Sequence, residues 1–291
     1  MPRSIADGFN DFLPKLTASS YESATAASHR SSIKTRLEAD FGSLKRFTRI
    51  GSFGNGTSIS GFSDTDYLAV LRTDQLTLTS NASLTKVRTS LADRFPNTGV
   101  HVNCPAVVCP FGTSKSETVE VVPADYIKEE NGHPVYEIPD CANGWMKASP
   151  DAHNAYVKRV DEKYDYKVKP LIRFIKAWKF YRSVPISSFY LELKVARFAE
   201  TQSSILYEYD VRTILQQLSS NELSALQDPT GVSGLIQPCK SDADYRDALS
   251  KTQTAATRAS NARDESDKKN ILEAFYWWRL LYNDEFPSYY Y

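Results

Sequence analysis

The sequence predicts an α+β fold, a small mixed sheet with helices packed on it followed by a helical lobe. Three observations carry the prediction. From about Arg46 to Val122, short apolar runs rich in strand-forming residues alternate with turns. Past Trp145, apolar residues recur at intervals of three and four. No internal repeat or low-complexity linker separates independent domains. The expected division is 1–145, an N-terminal helix with the sheet lobe, and 146–291, the helical lobe.

The first fifty residues read as mostly helical. A Ser/Ala-rich stretch begins a helix near Tyr21, Ile33, Leu37 and Phe41 give it an apolar face, and Gly42 stops it. Strands are expected at Thr65 to Leu71, Val100 to Val102, Ala106 to Val108 and Thr118 to Val122. Leu84, Val87, Leu91 and Phe95 mark a helix between them. Later, Val168, Leu171, Ile172, Ile175 and Trp178 form one stripe, with further helices at Phe189 to Phe198 and Val211 to Leu218. Asp242 to Lys269 is polar and rich in Ala and Thr, which predicts a solvent-facing helix. Ile271 to Tyr282 is dense in aromatics and should close the core. The tail Ser288 to Tyr291 reads as a frayed end without a catalytic part.

Composition narrows the function. The 291 residues are 41% hydrophobic and 24% charged, enough for a large core without disulfide staples and unlike a disordered chain. Thirty-five basic residues balance thirty-five acidic ones, which argues against a nonspecific coater of duplex DNA. No apolar run approaches the ~20 residues of a membrane span, and the start lacks the apolar core of a signal peptide. The expectation is a soluble, cytoplasmic protein with no membrane partner. Cys104, Cys109, Cys141 and Cys239 form no CxxC pair and read as ordinary thiols in a reducing compartment.

The chemistry concentrates in Gly51-Ser52-Phe53-Gly54-Asn55-Gly56-Thr57, followed by Ser63-Asp64-Thr65-Asp66. Alone, the Gly-rich stretch reads more readily as an ordinary turn than as a loop that aims N–H groups at phosphate. It is neither a Walker loop nor a dinucleotide fingerprint. Asp64 and Asp66 change that balance. On a strand, residues two apart share a face, and here both lead into the apolar run Tyr67 to Leu71. Two such carboxylates repel unless a cation lies between them, and hard oxygens suit Mg²⁺ or Mn²⁺. Glu120, inside the apolar Val119 to Val122, is the candidate third ligand, against the alternative of an edge strand facing water. Glu117, before the apolar run and next to the polar turn at 113–116, competes less well.

These residues resemble a known family. GSFGNGT, six residues, DTD and then an acidic strand residue look like the signature of the DNA polymerase β-like nucleotidyltransferases. VEVVPA (Val119 to Ala124) and KPLIRFIKAWKFYRSVPISSFYLEL (Lys169 to Leu193) are similar to the bacterial CD-NTases, the cyclic GMP-AMP synthase/DncV-like enzymes of anti-phage defence. The resemblance runs from about residue 20 to 287. Many relatives carry aspartate where this chain has Glu120.

The resemblance implies an ATP-binding cleft between a catalytic lobe and a helical lobe. It also implies two Mg²⁺ or Mn²⁺ ions on Asp64, Asp66 and Glu120, and phosphates held by Gly51 and Ser52. Lys176 matches the family's triphosphate lysine and Ser188 its triphosphate serine, with Ser187 beside it. Phe189 falls where a relative stacks an aromatic on the base, and Tyr190 is the alternative if the helix is rotated. Lys169, Arg173 and Lys176 share a helix face. The expected activity is synthesis of a cyclic di- or trinucleotide from NTPs including ATP, by a monomer that needs no duplex DNA and is open to a regulatory protein partner. The competing readings are a linear nucleotidyltransferase acting on RNA, protein or a small molecule, and an inactive nucleotide-binding module. No histidine (His29, His101, His133, His153) sits in a motif that demands a general base.

Overall fold

Two parallel neighbours set the frame of the sheet. Strand β2 (Thr65–Val70) pairs in parallel with β5 (Glu117–Glu130), in a register that places Asp66 opposite Glu120. In this computed structural model, residues 3–17, 20–62, 64–112 and 117–290 are described, with 20–28 described by backbone alone. Ser63, the polar turn at 113–116 and Tyr291 lie outside the described residues. Antiparallel to β2 runs β1 (Arg46–Arg49), and antiparallel to β5 runs β4 (Ala106–Phe111), followed by β3 (His101–Asn103). The order is therefore β1-β2-β5-β4-β3. The far half of β5 leaves this group to pair with β6 (His133–Pro139), which pairs with β7 (Trp145–Ala148). β5 is thus a central strand at Glu120, and the edge-strand alternative does not hold.

Alternation along β2 and β5 sorts their side chains into two faces. Tyr67, Ala69, Val119 and Val121 pack with Ile33 and Leu37 of α2 (Ser20–Phe41) and with Leu84, Val87 and Leu91 of α4 (Ser80–Arg94). Leu68, Val70, Val122 and Ala124 lie on the opposite face, with Ala106 and Tyr136. Asp66 and Glu120 share the parity of this second group. Cys109 belongs to the first, and burial pushes its thiol up to about 12.

The stretch Gly51 to Asn55, expected as part of a loop, forms a single helical turn, α3 (Gly51–Asn55), closed by left-handed Gly56. After the sheet come α5 (Pro150–Lys163), α6 (Val168–Tyr181), α7 (Ser188–Glu200) and α8 (Tyr207–Ser220). A two-stranded ribbon, β8 (Leu226–Gln227) and β9 (Leu235–Ile236), precedes α9 (Asp242–Asp267) and α10 (Ile271–Leu281). Arg46 grips Asp151 at the start of α5 through two bonds of 2.7 and 2.8 Å and donates to Tyr136 Oη at 2.7 Å, tying sheet to helices.

Three expectations change here. The first is the place of α1 (Ile5–Leu16), which a Ser4–Asp7 capping box starts. The division at 145/146 counts this helix with the sheet, but its Phe9 and Phe12 pack in the helical core. Phe9 lies 4.9 Å from Phe174 and 5.0 Å from Trp278, ring centre to ring centre, and Phe12 lies 4.8 Å from Tyr282. Second, α9 is not simply solvent-facing. Ala248, Thr252, Ala255, Ala259 and Ala262 recur at three and four and are buried, because small side chains let α8 and α10 approach closely. Third, Cys104 and Cys141 form a disulfide, with Cα atoms 5.6 Å apart across 37 residues of sequence. Folding brings the β3–β4 turn against the β6–β7 turn, a proximity no Cys spacing could announce. Cys109 and Cys239 are free thiols.

At the C-terminus, Tyr289 packs on Phe275 with ring centres 5.4 Å apart, so the described part of the tail is held against the core. Among the described residues, no helix is long and apolar enough to cross a membrane. Phe12→Ala is expected to destabilise the protein by about 3–5 kcal/mol, since a fully buried ring leaves a cavity. Chemical denaturation measures this, and a loss below about 1 kcal/mol would show that α1 is not part of the core.

Candidate active site

Asp66 and Glu120 stand on adjacent strands in one register row, and Asp64 lies two residues before Asp66 at the mouth of β2. The row continues through Val108 to His101, across β4 and β3. Burial raises the pKa of Asp66 well above the ordinary carboxylate value, and the charges of Glu120 and Asp64 push it further. Glu120 is raised by burial and then by Asp64, against the attraction of Lys240 and His101. Asp64 is raised by burial and lowered by Lys179. The carboxylates therefore crowd one another. Glu117 has the opposite parity. It faces α2, where its carboxylate meets His29 Nε2 at 2.9 Å, with Phe111 stacked on the imidazole.

Gly51 is required by close approach. Its φ is +60°, and a Cβ built there would lie 2.0 Å from Asp66 Oδ2. Only glycine lets the backbone of α3 pass beside that carboxylate. The contact is fixed by Ile50 N–H donating to the Asp66 carbonyl at 2.9 Å. Ser52 is half-buried in the same turn, and Thr57 N–H donates to its carbonyl at 2.8 Å.

The helical lobe supplies the facing groups. Ser187 caps α7, accepting from Tyr190 N–H at 3.2 Å, and Ser188 Oγ accepts from Lys179 Nζ at 2.6 Å. Phe189 is 39% exposed and meets His153 edge-on at 4.8 Å. Asp228 holds that imidazole at 3.0 Å, and its own pKa is lowered by the bond. Tyr190, the alternative aromatic, is fully buried and donates to the Ser224 carbonyl at 2.8 Å.

The triphosphate contact that the resemblance assigns to Lys176 is not available to its ammonium as it lies here. Lys176 is 0% exposed, and its Nζ donates to Glu192 Oε1 at 2.7 Å and to the Thr57 carbonyl at 2.9 Å. The physical reason is pairing: a buried ammonium is tolerated only with its donors satisfied, and removing one partner of such a pair costs about 3–5 kcal/mol. The rest of the basic face, Arg173 and Lys169, is half-buried and turned toward Gly56. Arg173 donates to the Gly56 carbonyl at 2.8 Å, and Lys169 lies beside Gly56. One turn further along α6, Lys179 is half-buried and faces Asp64. Burial, then Lys176, lowers its pKa to about 8. Sequence reasoning missed Lys179, Glu192 and Lys240. The i,i+3 spacing of Lys176 and Lys179 was the only signal for any of them.

The donor set fits a divalent ion in chemistry, with hard carboxylate oxygens on one face and Asp66 pressed against a glycine. Among the described residues, no three acidic, histidine or cysteine side chains close on a point as a finished cage. Such a set suits ions whose shell is completed by phosphate oxygens. Without metal, the crowded acids should destabilise the fold. A carboxyl with a raised folded pKa reduces stability as pH climbs from its ordinary titration range through that raised value. Asp66→Asn is therefore expected to melt above the metal-free wild type, by more at about pH 8 than at about pH 5. A variant that melts lower at the higher pH would contradict the crowding.

Residues 4–161 match the family described as the Second Messenger Oligonucleotide or Dinucleotide Synthetase domain. The chain is 28% identical over 279 residues to a probable cyclic nucleotide synthase of Bacillus cereus (strain VD146), covering 85% of this chain and 81% of that one. A cyclic AMP-AMP-AMP synthase of Acinetobacter is 26% identical over 170 residues, 54% of this chain and 48% of its own. In structure, the chain is similar to CdnC of E. coli MS115-1 solved with ATP (TM-score 0.74, 16% identity, 97% and 98% covered). It is also similar to the Vibrio cholerae cyclic AMP-GMP synthase DncV solved with a linear intermediate (TM-score 0.74, 13% identity, 95% and 93% covered). The fold is that of the polymerase β-like nucleotidyltransferases. With more than half its length matched, the chain belongs to the Second Messenger Oligonucleotide or Dinucleotide Synthetase family, the bacterial CD-NTases, enzymes that synthesise cyclic oligonucleotide second messengers.

Proposed function

We propose that this chain joins NTPs, ATP among them, into a cyclic di- or trinucleotide, with Asp64, Asp66 and Glu120 as its catalytic carboxylates. The observation that carries the reading is the register row that sets Asp66 beside Glu120, with Gly51 pressed against Asp66. Two Mg²⁺ or Mn²⁺ ions held by these acids would lower the pKa of the attacking ribose hydroxyl and neutralise charge on the departing pyrophosphate. The chain's own work is positioning and charge stabilisation. Gly51 and Ser52 hold the β and γ phosphates from the sheet lobe, and Ser187, Ser188 and Lys179 hold them from the helical lobe. Phe189 offers its exposed ring to a base. The ribose oxygen attacks the α-phosphorus, the bond to pyrophosphate breaks, and the hydroxyl proton leaves to solvent. A second round, with the linear intermediate turned over, closes the ring.

The wider setting we propose, in keeping with the family resemblance, is a monomer in the cytoplasm that acts in anti-phage defence, is open to a regulatory protein partner and does not require duplex DNA. The functional division we propose is a sheet lobe within 1–145 and a helical lobe within 146–291, with α1 packed on the helical lobe.

Purified protein incubated with mixed radiolabelled NTPs and Mg²⁺ or Mn²⁺, then with phosphatase, should yield a small phosphatase-resistant product. A labelled macromolecule, or no release of pyrophosphate, would overturn the reading. Asp64→Ala with Asp66→Ala, or removal of metal by chelation, should abolish the product. Lys179→Ala should raise the KM for NTP roughly ten- to a hundred-fold, the loss of one charge-assisted bond, while the melting temperature stays near wild type. In the wild type, KM should climb as pH passes about 8, where the ammonium of Lys179 discharges. A KM unchanged by the substitution and insensitive to salt would remove Lys179 from the phosphate site.

A further inference from the structure

We infer that Glu192 is a positioning residue for nucleotidyl transfer, one that sets the gap between the two phosphate-facing walls. The inference rests on the function proposed above. Glu192 lies one turn beyond Ser188 on α7, and Lys176 one turn before Lys179 on α6. The cleft-facing pair Lys179–Ser188 therefore has a buried counterpart, Lys176–Glu192, one turn deeper.

That deeper pair reaches across to the sheet lobe. Glu192, 6% exposed, accepts from Thr57 Oγ1 at 2.6 Å, from Asn55 Nδ2 at 3.1 Å and from Lys176 Nζ at 2.7 Å. Lys176 in turn donates to the Thr57 carbonyl at 2.9 Å. Thr57 N–H donates to the Ser52 carbonyl at 2.8 Å, and Gly51 touches Asp66. A short chain of directional bonds thus runs from α7 through Thr57 to Ser52, and Gly51, next to Ser52, packs against the Asp66 carboxylate. Fold stability alone gives little reason for it, because apolar residues of similar volume often replace a buried ion pair without loss. What apolar packing does not supply is direction. Hydrogen bonds on both sides of Thr57 fix where the α3 turn sits relative to Ser188, and small misplacements of binding groups lower turnover steeply.

Three variants test this. Thr57→Val removes one bond to Glu192 without changing charge. It should keep the melting temperature within a few degrees of wild type, raise the NTP KM about ten-fold, and weaken binding of a non-hydrolysable NTP analogue equally by calorimetry. Glu192→Gln leaves the Lys176 ammonium without a counter-charge and should lower the melting temperature. Lys176→Met with Glu192→Met should recover that temperature yet leave kcat/KM depressed by about ten-fold or more. A Met/Met variant that regains both stability and wild-type kcat/KM would overturn the proposal. So would Thr57→Val with wild-type analogue affinity, which decides the matter alone if the double variant does not fold. Analogue binding does not depend on what product is made, so it reads the role of Glu192 even if the cyclic product fails to appear.

Discussion

The site depends on the parallel pairing of β2 with β5. Parallel neighbours in one register put equivalent residues side by side, and here those residues are Asp66 and Glu120. A slip of one residue in either strand would turn its carboxylate to the face covered by α2 and α4, where the sheet is packed with apolar side chains. The same alternation that builds the core on one side therefore assembles the acids on the other. Packing and the proposed chemistry share one constraint, and the acidic row is held by the apolar residues that flank it along each strand.

Charge is arranged in two layers around this row. Beside the acids, Lys179 faces Asp64, while Lys240 and His101 face Glu120. Beneath, Lys176 and Glu192 form a closed pair whose field still reaches Asp66. A net charge of zero is compatible with strong local fields, because the positive groups are drawn from α6 and from the segment before α9 and aimed at one acidic point. The two lysines one turn apart on α6 thus do different work. Lys176 is satisfied by protein and holds the turn after α3, whereas Lys179 donates to the hydroxyl of Ser188, lies over the Phe180 ring and faces Asp64.

The elements that carry the site are braced from behind. The bidentate grip of Arg46 on Asp151 joins β1 to α5, and α1 reaches back from the start of the chain to fill the helical core with Phe9 and Phe12. The Cys104–Cys141 bridge ties the β3–β4 turn to the β6–β7 turn, and Lys240 reaches the Cys104 carbonyl at 3.5 Å from the other lobe. His153, fixed by Asp228, backs the ring of Phe189.

Local pattern alone determined much of this. Short apolar runs located β2 and β4, three-to-four spacing located α4 and α6, and apolar or aromatic stretches located α7, α8 and α10; the DTD before an apolar strand with Glu120 inside another marked the acids, because strand parity is a property of neighbouring residues. The missed elements were β1, β6 to β9, α5 and the short α3, where polar composition or brevity hides the period. Only the tertiary structure decided that Lys176 is sealed against Glu192, that Lys179 faces Asp64 instead, and that α1 joins the distant helices. It also decided that Cys104 meets Cys141, and that the small-residue stripe of α9 is buried. Each of these depends on which surfaces meet across dozens of residues. Burial, pairing and proximity of that kind arise from packing the whole chain, and no short window of sequence contains them.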